Sequence, residues 1–325
     1  MKAMKMKRRK STLIQKPITA RQAYDEFLQD KTSMNVSPQT LSTYGLHISS
    51  FLSIRNLWDA KASSISKNDY QQWIEVLQMD SAKKDVTVAS YCRSVRVFIY
   101  WLQDNHYISE TYSLKIPKYQ KTIKVCYTDE ELSLLLKKPE KCSEVQFQTW
   151  VFINLACATG MRLSSILSLK VSDIIWKENL IYLQKSKNKR AQIFFVNNEM
   201  LAILRNYINL FELTENDSLF CSAEKVRLSK RTIQNNVENY NHSRNVKKTS
   251  IHLFRHTFAK NFYTQTKDIY TLAHILGHSS IATTENYLRD LGVNPADATA
   301  YNPQLIYAGK QKRRHRRSNI KTDDL

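Results

Sequence analysis

The sequence predicts a mainly α-helical protein of two domains, with one small antiparallel β-hairpin in the second domain. Its 325 residues suffice for about two domains, each with its own hydrophobic core. Apolar residues recur at helical spacing along most of the chain, and the hydrophobic fraction of 42% is that of a folded globular protein. The exception is 179–196, where two short β-rich runs flank a polar, lysine-rich turn.

The first domain is predicted to be a compact helical unit over residues 17–107. Ser37 followed by Pro38 is typical of a helix start with proline at the first position, and Ser66 can cap a second helix. A third helix is predicted from about Val86. Their apolar stripes contain Leu41, Tyr44, Ile48, Phe51, Leu52, Tyr70, Trp73, Ile74, Leu77, Val88, Tyr91, Val95, Phe98, Ile99 and Leu102.

The second domain is predicted over 127–308, after a basic linker at 108–126 that contains Pro117. Thr128 and Glu131 have the spacing of a capping box at its first helix. Helical patterns cover 129–138, 144–158, 163–170, 198–211, 229–241, 253–264, 268–275 and 280–290, and the strands of the hairpin cover 180–183 and 192–196.

The charge of the chain indicates a polyanionic partner, either nucleic acid or an acidic membrane surface. Lysine and arginine number 49 against 29 acidic residues, which gives a formal net charge of +20. The charge is concentrated in two predicted disordered arms, 1–16 and 309–325, although the remainder of the chain is also basic. No stretch of 18 apolar residues and no apolar signal core occur. We therefore expect a cytoplasmic protein without membrane association.

Cysteine and glycine usage argues against several kinds of site. The five cysteines are scattered and form no CxxC pair, so neither a disulfide framework nor a cysteine-rich zinc site is predicted. The five glycines build neither of the glycine-rich loops that bind nucleotides. The sequence thus predicts chemistry that needs no cofactor and no metal.

Four segments of the second domain together suggest phosphodiester chemistry. Arg162 follows a Thr-Gly-Met turn, a lysine-rich hairpin comes next, His252 and Arg255 lie three apart, and Tyr287 follows His278 by nine residues. Each feature alone has an ordinary structural explanation. Together, arginines and histidines can hold a phosphodiester, a lysine can protonate a leaving oxygen, and a tyrosine can attack phosphorus. This set would cleave a strand with neither metal nor ATP.

The same segments resemble the tyrosine recombinase (phage integrase) family. The resemblance rests on ATGMRLSSILSLKVSDI (158–174), HLFRHTFA (252–259) and LGHSSIATTENYL (276–288), and it covers about residues 17–308. TLSTYGLHISSFL (40–52) is similar to the opening of the family's core-binding domain. The resemblance implies a SAM-like helical core-binding domain followed by a larger, mostly helical catalytic domain.

The resemblance also implies a role for each motif residue. Arg162 and Arg255 would hold the nonbridging oxygens of the scissile phosphate, which His278 would also contact. His252 would act as the acid/base that assists the nucleophile. Tyr287 would be that nucleophile and would form a 3′-phosphotyrosyl bond.

Two positions depart from the family's pattern. Lys185 aligns with the hairpin lysine that acts as general acid for the 5′-hydroxyl, but its usual Gly-Lys-Gly turn is absent, so Lys187 and Lys189 stay as alternatives. Ser165 stands where many relatives carry an acidic residue that supports the first arginine. The support at that position must therefore differ.

The resemblance implies double-stranded DNA as partner and a homo-tetramer on two recombination sites, with accessory DNA-bending proteins as further partners. The segment 293–308 would dock on a neighbouring protomer or pack on its own domain. His256 and His274, close to the motifs, are interpreted as structural.

Three functions stay open on the sequence. The first is site-specific recombination, such as integration or excision of a mobile element, by a nucleoid-associated enzyme. The second is relaxation of DNA by a type IB topoisomerase, which shares the tyrosine chemistry. The third is a non-catalytic DNA-binding regulator with the same fold.

Overall fold

The structure, a computed structural model, describes residues 17–120, 122–184 and 191–293. The chain divides into two compact units between residues 121 and 122. Both are mostly helical and the second carries a small antiparallel sheet, which confirms the predicted fold class. Within these ranges no helix has the length and apolarity that crossing a bilayer requires. The predicted arms 1–16 and 309–325 lie outside the described residues.

Four α-helices build the described part of the first unit, and local capping explains where three of them start. Ser37 caps the second helix, with Pro38 at its first position, as predicted. Ser66 caps the third in a capping box with Asp69, and Thr19 caps the first, whose start the sequence patterns did not delimit. The helices are α1 (Ala20–Ser33), α2 (Pro38–Ile54), α3 (Lys67–Met79) and α4 (Asp85–Asp104).

Aromatic rings fill the core of the first unit. Phe27 meets Phe98 edge to face with ring centres 5.4 Å apart, and Phe51 meets Trp73 in the same way at 5.5 Å. All four side chains are fully buried. The predicted apolar stripes of α2, α3 and α4 thus supply Phe51, Trp73 and Phe98, whereas Phe27 comes from α1, which the sequence patterns did not delimit.

The first unit continues beyond α4 into the segment 108–126, which the sequence predicts to be a linker. Leu114 is buried, and its backbone N–H donates to the Tyr100 hydroxyl at 3.0 Å. The Tyr112 hydroxyl donates to the Ile65 carbonyl at 2.9 Å. The start of this segment therefore packs on the helical core, while the domain boundaries stay a prediction.

The second unit contains eight helices and three strands within the described residues. The predicted helices are all present, with ends shifted by at most two residues. They are α5 (Asp129–Leu136), α6 (Glu144–Thr159), α7 (Leu163–Ser168), α8 (Asn198–Leu210), α9 (Lys230–Ser243), α10 (His252–Thr266), α11 (Ile269–Leu276) and α12 (Ile281–Asp290). The predicted capping box of Thr128 and Glu131 starts α5.

The sheet has the order β1-β2-β3 and is antiparallel throughout. Its strands are β1 (Ile174–Ile175), β2 (Leu180–Leu183) and β3 (Gln192–Phe195). β2 and β3 form the predicted hairpin, in which Ile181 pairs with Phe194. β1 was not predicted, because two residues are too short to show a strand period.

Helix α6 lies at the centre of the second unit. Its residues Val151, Phe152, Ile153 and Leu155 are fully buried on successive sides of the helix, and α5, α8, α9 and α10 all pack against it. A smaller cluster joins the last three helices: Ala259, Tyr263, Leu272, Leu276, Leu288 and Leu291. This cluster holds α12 against α10 and α11.

Candidate active site

Arg162 lies in the turn that follows α6. The helix ends at Gly160, which adopts left-handed backbone (φ +61°) and donates its N–H to the Ala156 carbonyl at 3.0 Å. A Cβ at Gly160 would lie 2.3 Å from the Phe258 ring of α10, so the turn requires glycine. The Arg162 carbonyl then accepts the Ile166 N–H at 3.0 Å, which places this half-buried arginine at the start of α7.

Arg255 ties that turn to the end of α11. Its Nη1 donates to the Gly160 carbonyl and its Nη2 to the Leu276 carbonyl, both at 2.8 Å, and the residue is 4% exposed. Burial, with the nearby Arg162 charge, lowers the pKa of Arg255 to about 10, so the guanidinium stays charged at neutral pH. Two of its five N–H groups are used in these bonds, which leaves donors for an anion.

His278 follows a second glycine turn. Gly277 ends α11 with φ +61°, and a Cβ there would meet the Gln192 amide of β3 at 2.2 Å. The Nδ1 of His278 is 2.9 Å from the hydroxyl of Thr284, which is fully buried in α12. Burial and the charges of Arg255 and Arg162 lower the pKa of His278 to about 4. The imidazole is therefore neutral and fixed in direction.

Tyr287, on α12, has a buried hydroxyl that makes no hydrogen bond of good geometry within the described residues. Its ring centre is 5.3 Å from that of His256 and 5.6 Å from that of His278. Burial raises the pKa of Tyr287 to about 12, and the nearby Arg255 and Arg162 charges act against this rise. The phenol is thus protonated at neutral pH, beside two cations that favour its ionised form.

His252 and His256 form a pair on the first turns of α10, with ring centres 4.4 Å apart. Desolvation and the charges of Arg255, Lys124 and Arg162 lower the pKa of His252, although its side chain reaches solvent. Burial is the main cause that lowers the pKa of His256 to about 4, and the charges of His252 and of nearby cations lower it further. His256, interpreted as structural from the sequence, therefore lies between His252 and the Tyr287 ring. The spacing of four residues between His252 and His256, which places both side chains on one face of a helix, is the sequence signal that could have indicated this pairing.

The hairpin lysines Lys185, Lys187 and Lys189 lie outside the described residues. The strands that carry their turn are described, and β3 begins at Gln192. The Gln192 side chain packs against Gly277, next to His278. The turn end of the paired strands therefore adjoins the site, while the choice among the three lysines stays open.

Ser165, the departure next to the first arginine, is buried in α7 at 5% exposure. Its backbone N–H donates to the Arg162 carbonyl at 2.8 Å. No carboxylate forms an ion pair with Arg162 among the residues that the structure describes. Asp173 accepts the Lys170 N–H at 2.8 Å and so serves its own turn. At the position where many relatives carry an acidic residue, this chain therefore has a buried serine whose backbone bonds to Arg162 in the α7 turn.

A cleft of about 500 Å³ opens beside these groups. His252 and Arg255 form one wall, and the facing polar groups come from α9 and the loop before α10: Gln234, Asn235, Glu238, Thr249 and Ser250. Sequence patterns do not single out these residues, because their relation to His252 appears only when α9 and α10 both pack on α6. Among the described residues, no three His, Cys, Asp or Glu side chains could together hold a metal ion.

Five of the six predicted site residues therefore meet in the second unit: Arg162, His252, Arg255, His278 and Tyr287. With His256, the arrangement places two guanidinium groups and three imidazoles around the buried hydroxyl of Tyr287. Such a set can bind an anionic phosphate through charged and neutral donors and present an oxygen nucleophile to it.

Residues 126–292 match the model of the phage integrase family. Tyrosine recombinase XerD of Staphylococcus epidermidis is 27% identical over 241 residues, 71% of this chain and 81% of the relative. Tyrosine recombinase XerC of Neisseria meningitidis serogroup B is 24% identical over 271 residues, 82% and 89% of the two chains.

Solved structures share the fold. A lambda integrase(75-356) dimer bound to a COC′ core site has a TM-score of 0.68 at 16% identity, over 85% of this chain and 97% of that chain. The Tn1549 transposon integrase in complex with transposon right end DNA gives 0.67 at 18% identity, over 83% and 94%. XerH recombinase bound to palindromic difH substrate, a post-cleavage complex, gives 0.66 at 20% identity, over 82% and 80%.

Proposed function

The chain belongs to the phage integrase family, and on this premise we propose that it is a site-specific DNA recombinase acting through a 3′-phosphotyrosyl bond to Tyr287. One observation carries the proposal. Within the described residues the buried Tyr287 hydroxyl makes no hydrogen bond of good geometry, and its ring lies against His256 and His278. The Arg255 guanidinium nevertheless lies close enough to interact with the phenolic oxygen and, together with the Arg162 charge, favours its ionised form. These surroundings suit an oxygen that must lose its proton and attack phosphorus.

In the proposed reaction the phosphate is held before it is attacked. Arg162 and Arg255 bind its nonbridging oxygens, and their charges oppose the negative charge that grows on phosphorus in the transition state. Thr284 contributes through His278. When Nδ1 accepts a hydrogen bond from the Thr284 hydroxyl, the ring proton is on Nε2, which can donate a hydrogen bond to a phosphate oxygen. Every one of these groups is on a short turn or a helix end, so the phosphate site is set by the fold.

Cleavage then exchanges one ester bond for another. The Tyr287 oxygen bonds to phosphorus as the bond from phosphorus to the 5′-oxygen breaks. His252 accepts the phenolic proton, since its lowered pKa keeps it neutral. The 5′-oxygen takes a proton from the hairpin lysine, for which we propose Lys185, with Lys187 and Lys189 as alternatives. The reverse steps with the 5′-hydroxyl of another strand rejoin the DNA, so no cofactor or external energy is required.

We extend the proposal to the assembly that would exchange strands. Recombination between two duplexes needs two sites and four cleavages, which a homo-tetramer on double-stranded DNA provides, helped by accessory DNA-bending proteins. Integration or excision of a mobile element is the proposed role, supported by the likeness to a transposon integrase in complex with transposon right end DNA. Such an enzyme would work at the nucleoid in the cytoplasm.

Covalent capture tests the proposal on a DNA library, so the target sequence need not be chosen beforehand. The full chain is expressed in a bacterial host carrying a library of candidate DNA, cells are lysed in detergent, and DNA that stays attached to the protein is sequenced. Recovered sites are then built into nicked duplexes whose cleavage traps the intermediate. We expect a discrete set of sequences and a covalent complex at their cleavage position.

Two tyrosine variants give this experiment its control. Tyr287→Phe should bind the recovered site and form no covalent complex. Tyr270→Phe alters an exposed tyrosine of the neighbouring α11 and should be trapped like the wild type. Trapping of Tyr287→Phe at the wild-type level would contradict the nucleophile. Relaxation of any supercoiled plasmid, without a preferred sequence, would instead favour a type IB topoisomerase.

A further inference from the structure

Lys124 contacts both the end of α12 and the Tyr287 ring. Its backbone N–H donates to the Asp290 carbonyl at 2.7 Å, and its Nζ lies 3.2 Å from Asp290 Oδ2. The same ammonium is 5.5 Å from the centre of the Tyr287 ring. On the sequence, Lys124 is one of several lysines in a predicted basic linker and belongs to no site.

We propose that Lys124 and Asp290 form a latch that fixes Tyr287 against the His252–His256 pair of its own subunit. The proposal rests on the function proposed above for Tyr287. Asp290 lies three residues after Tyr287, on the next turn of the same helix. Holding Asp290 therefore fixes the rotation of α12 about its axis and how deeply the Tyr287 phenol is buried. Lys124 is accordingly a positioning residue.

The packing around the latch supports this role. Gly292, just after α12, has φ +74°, and a Cβ there would lie 3.3 Å from Cγ2 of Ile123, the neighbour of Lys124. Cys126, two residues after Lys124, packs against the same small cluster as Tyr287. The segment 123–126 thus runs along the end of α12, and the opposite end of that helix is held by the Thr284 bond to His278.

The charges of the latch residues also affect the pKa values of His252 and His256. The Lys124 ammonium lowers the pKa of both His252 and His256, whereas the Asp290 carboxylate raises that of His256. An uncharged imidazole can accept a proton, so the lysine favours the competent form of the pair. Among the described residues, other charged or titratable groups near this place are Arg162, Arg255, Cys126, His278 and Tyr287, and the lysines Lys248 and Lys260 lie beside Cys126.

Removing either partner of the latch should therefore loosen α12 in the same way, but should shift the pKa of His256 in opposite directions. In the full chain without DNA, Lys124→Gln and Asp290→Asn should both speed hydrogen exchange of α12 about two- to fivefold, as expected for losing a partly exposed ion pair. The NMR titration midpoint of the His256 ring should move to higher pH in Lys124→Gln and to lower pH in Asp290→Asn. His256→Gln identifies the signal.

Matched variants separate the latch from general loss of charge. Lys124→Arg keeps the charge and should show wild-type exchange and titration. Lys177→Gln removes a lysine on the β1–β2 turn, away from the latch, and should change neither measurement. Unchanged α12 exchange in Lys124→Gln, or a His256 midpoint that moves the same way in both latch variants, would overturn the proposal. Neither measurement uses DNA cleavage, so failure of covalent capture would count against the proposed function alone.

Discussion

Arg255 donates a hydrogen bond to the carbonyl oxygen of Gly160 at 2.8 Å, which joins the segment of the second arginine to that of the first. The guanidinium uses a second bond to Leu276, at the end of α11. Three segments far apart in sequence thus meet at one buried cation. The geometry of the phosphate site consequently depends on backbone turns as much as on the side chains that would touch phosphate.

Replacing Gly160 by alanine should disturb this junction. The added Cβ would meet the Phe258 ring at 2.3 Å and would have to accept φ +61°. Backbone strain and overpacking together predict a loss of about 2–4 kcal/mol in the free energy of unfolding of the second unit. Urea unfolding followed by pulse-labelling hydrogen exchange of α6 peptides measures this unit alone.

Gly45→Ala provides the control in the first unit. Gly45 lies within α2, and a Cβ there would be 3.3 Å from the Tyr24 hydroxyl. Alanine's better helix propensity offsets this tight contact, so the change in unfolding free energy should stay within about 1 kcal/mol. Equal destabilisation of the two units by their respective variants would contradict the role assigned to the Gly160 turn.

Thr284 should matter for cleavage through His278. Thr284→Val keeps the shape of a buried side chain but removes the hydroxyl 2.9 Å from His278 Nδ1. Loss of one orienting hydrogen bond predicts covalent complex formation about tenfold slower, with DNA binding unchanged. Single-turnover cleavage of a nicked duplex measures the rate, and Thr283→Val, on the exposed face, is the control. A wild-type rate in Thr284→Val would show that His278 needs no such support.

Local signals in the sequence located the elements well. A helix cap joins residues three apart, so Ser37, Ser66 and Thr128 could be recognised as helix starts before any tertiary structure was considered. The five described motif residues were predicted because each belongs to a compact segment, and the structure brings these segments together. Strand β1 was missed because its stability comes from pairing with β2, a contact that leaves no period in two residues.

The sequence could not predict that α12 packs close to α10. His256 was interpreted as structural because its position on α10 is predictable while the arrival of the Tyr287 ring beside it is not. Lys124 lies in a segment without helical period, and its partner Asp290 is near the other end of the unit. Both assignments depend on long-range packing that no local pattern reports.

The histidines predict an acid-sensitive second unit. The pKa of His256 and that of His278 are lowered to about 4 in the folded chain, against about 6.5 when unfolded. As pH falls below 6.5 the unfolded state binds more protons, so stability present above pH 6.5 is lost progressively toward pH 4. Each shift corresponds to about 3 kcal/mol at pH 4, and after the share of the partly exposed His278 is reduced for solvent screening we expect a total loss of about 4 kcal/mol, measured by urea unfolding across this range.

His256→Gln should remove the larger part of that acid-dependent loss, because His256 is the more buried of the two and glutamine has no proton to gain in this range. His274→Gln is the matched control, since His274 is exposed on α11. An unfolding free energy of the wild-type second unit that stays constant from pH 6.5 to pH 4 would contradict the neutral, buried state of these imidazoles.

The basic residues at the C-terminal end should contribute affinity without chemistry. Residues 310–321 carry seven lysines and arginines and no acidic residue. Each phosphate contact made by such residues releases counterions, so deleting 310–325 should weaken DNA binding and flatten the dependence of log Kd on log salt. The site residues lie in other segments, so cleavage at saturating DNA should keep its wild-type rate in single-turnover assays. Loss of covalent complex formation in the truncated chain at saturating DNA would show that this end takes part in assembling the site.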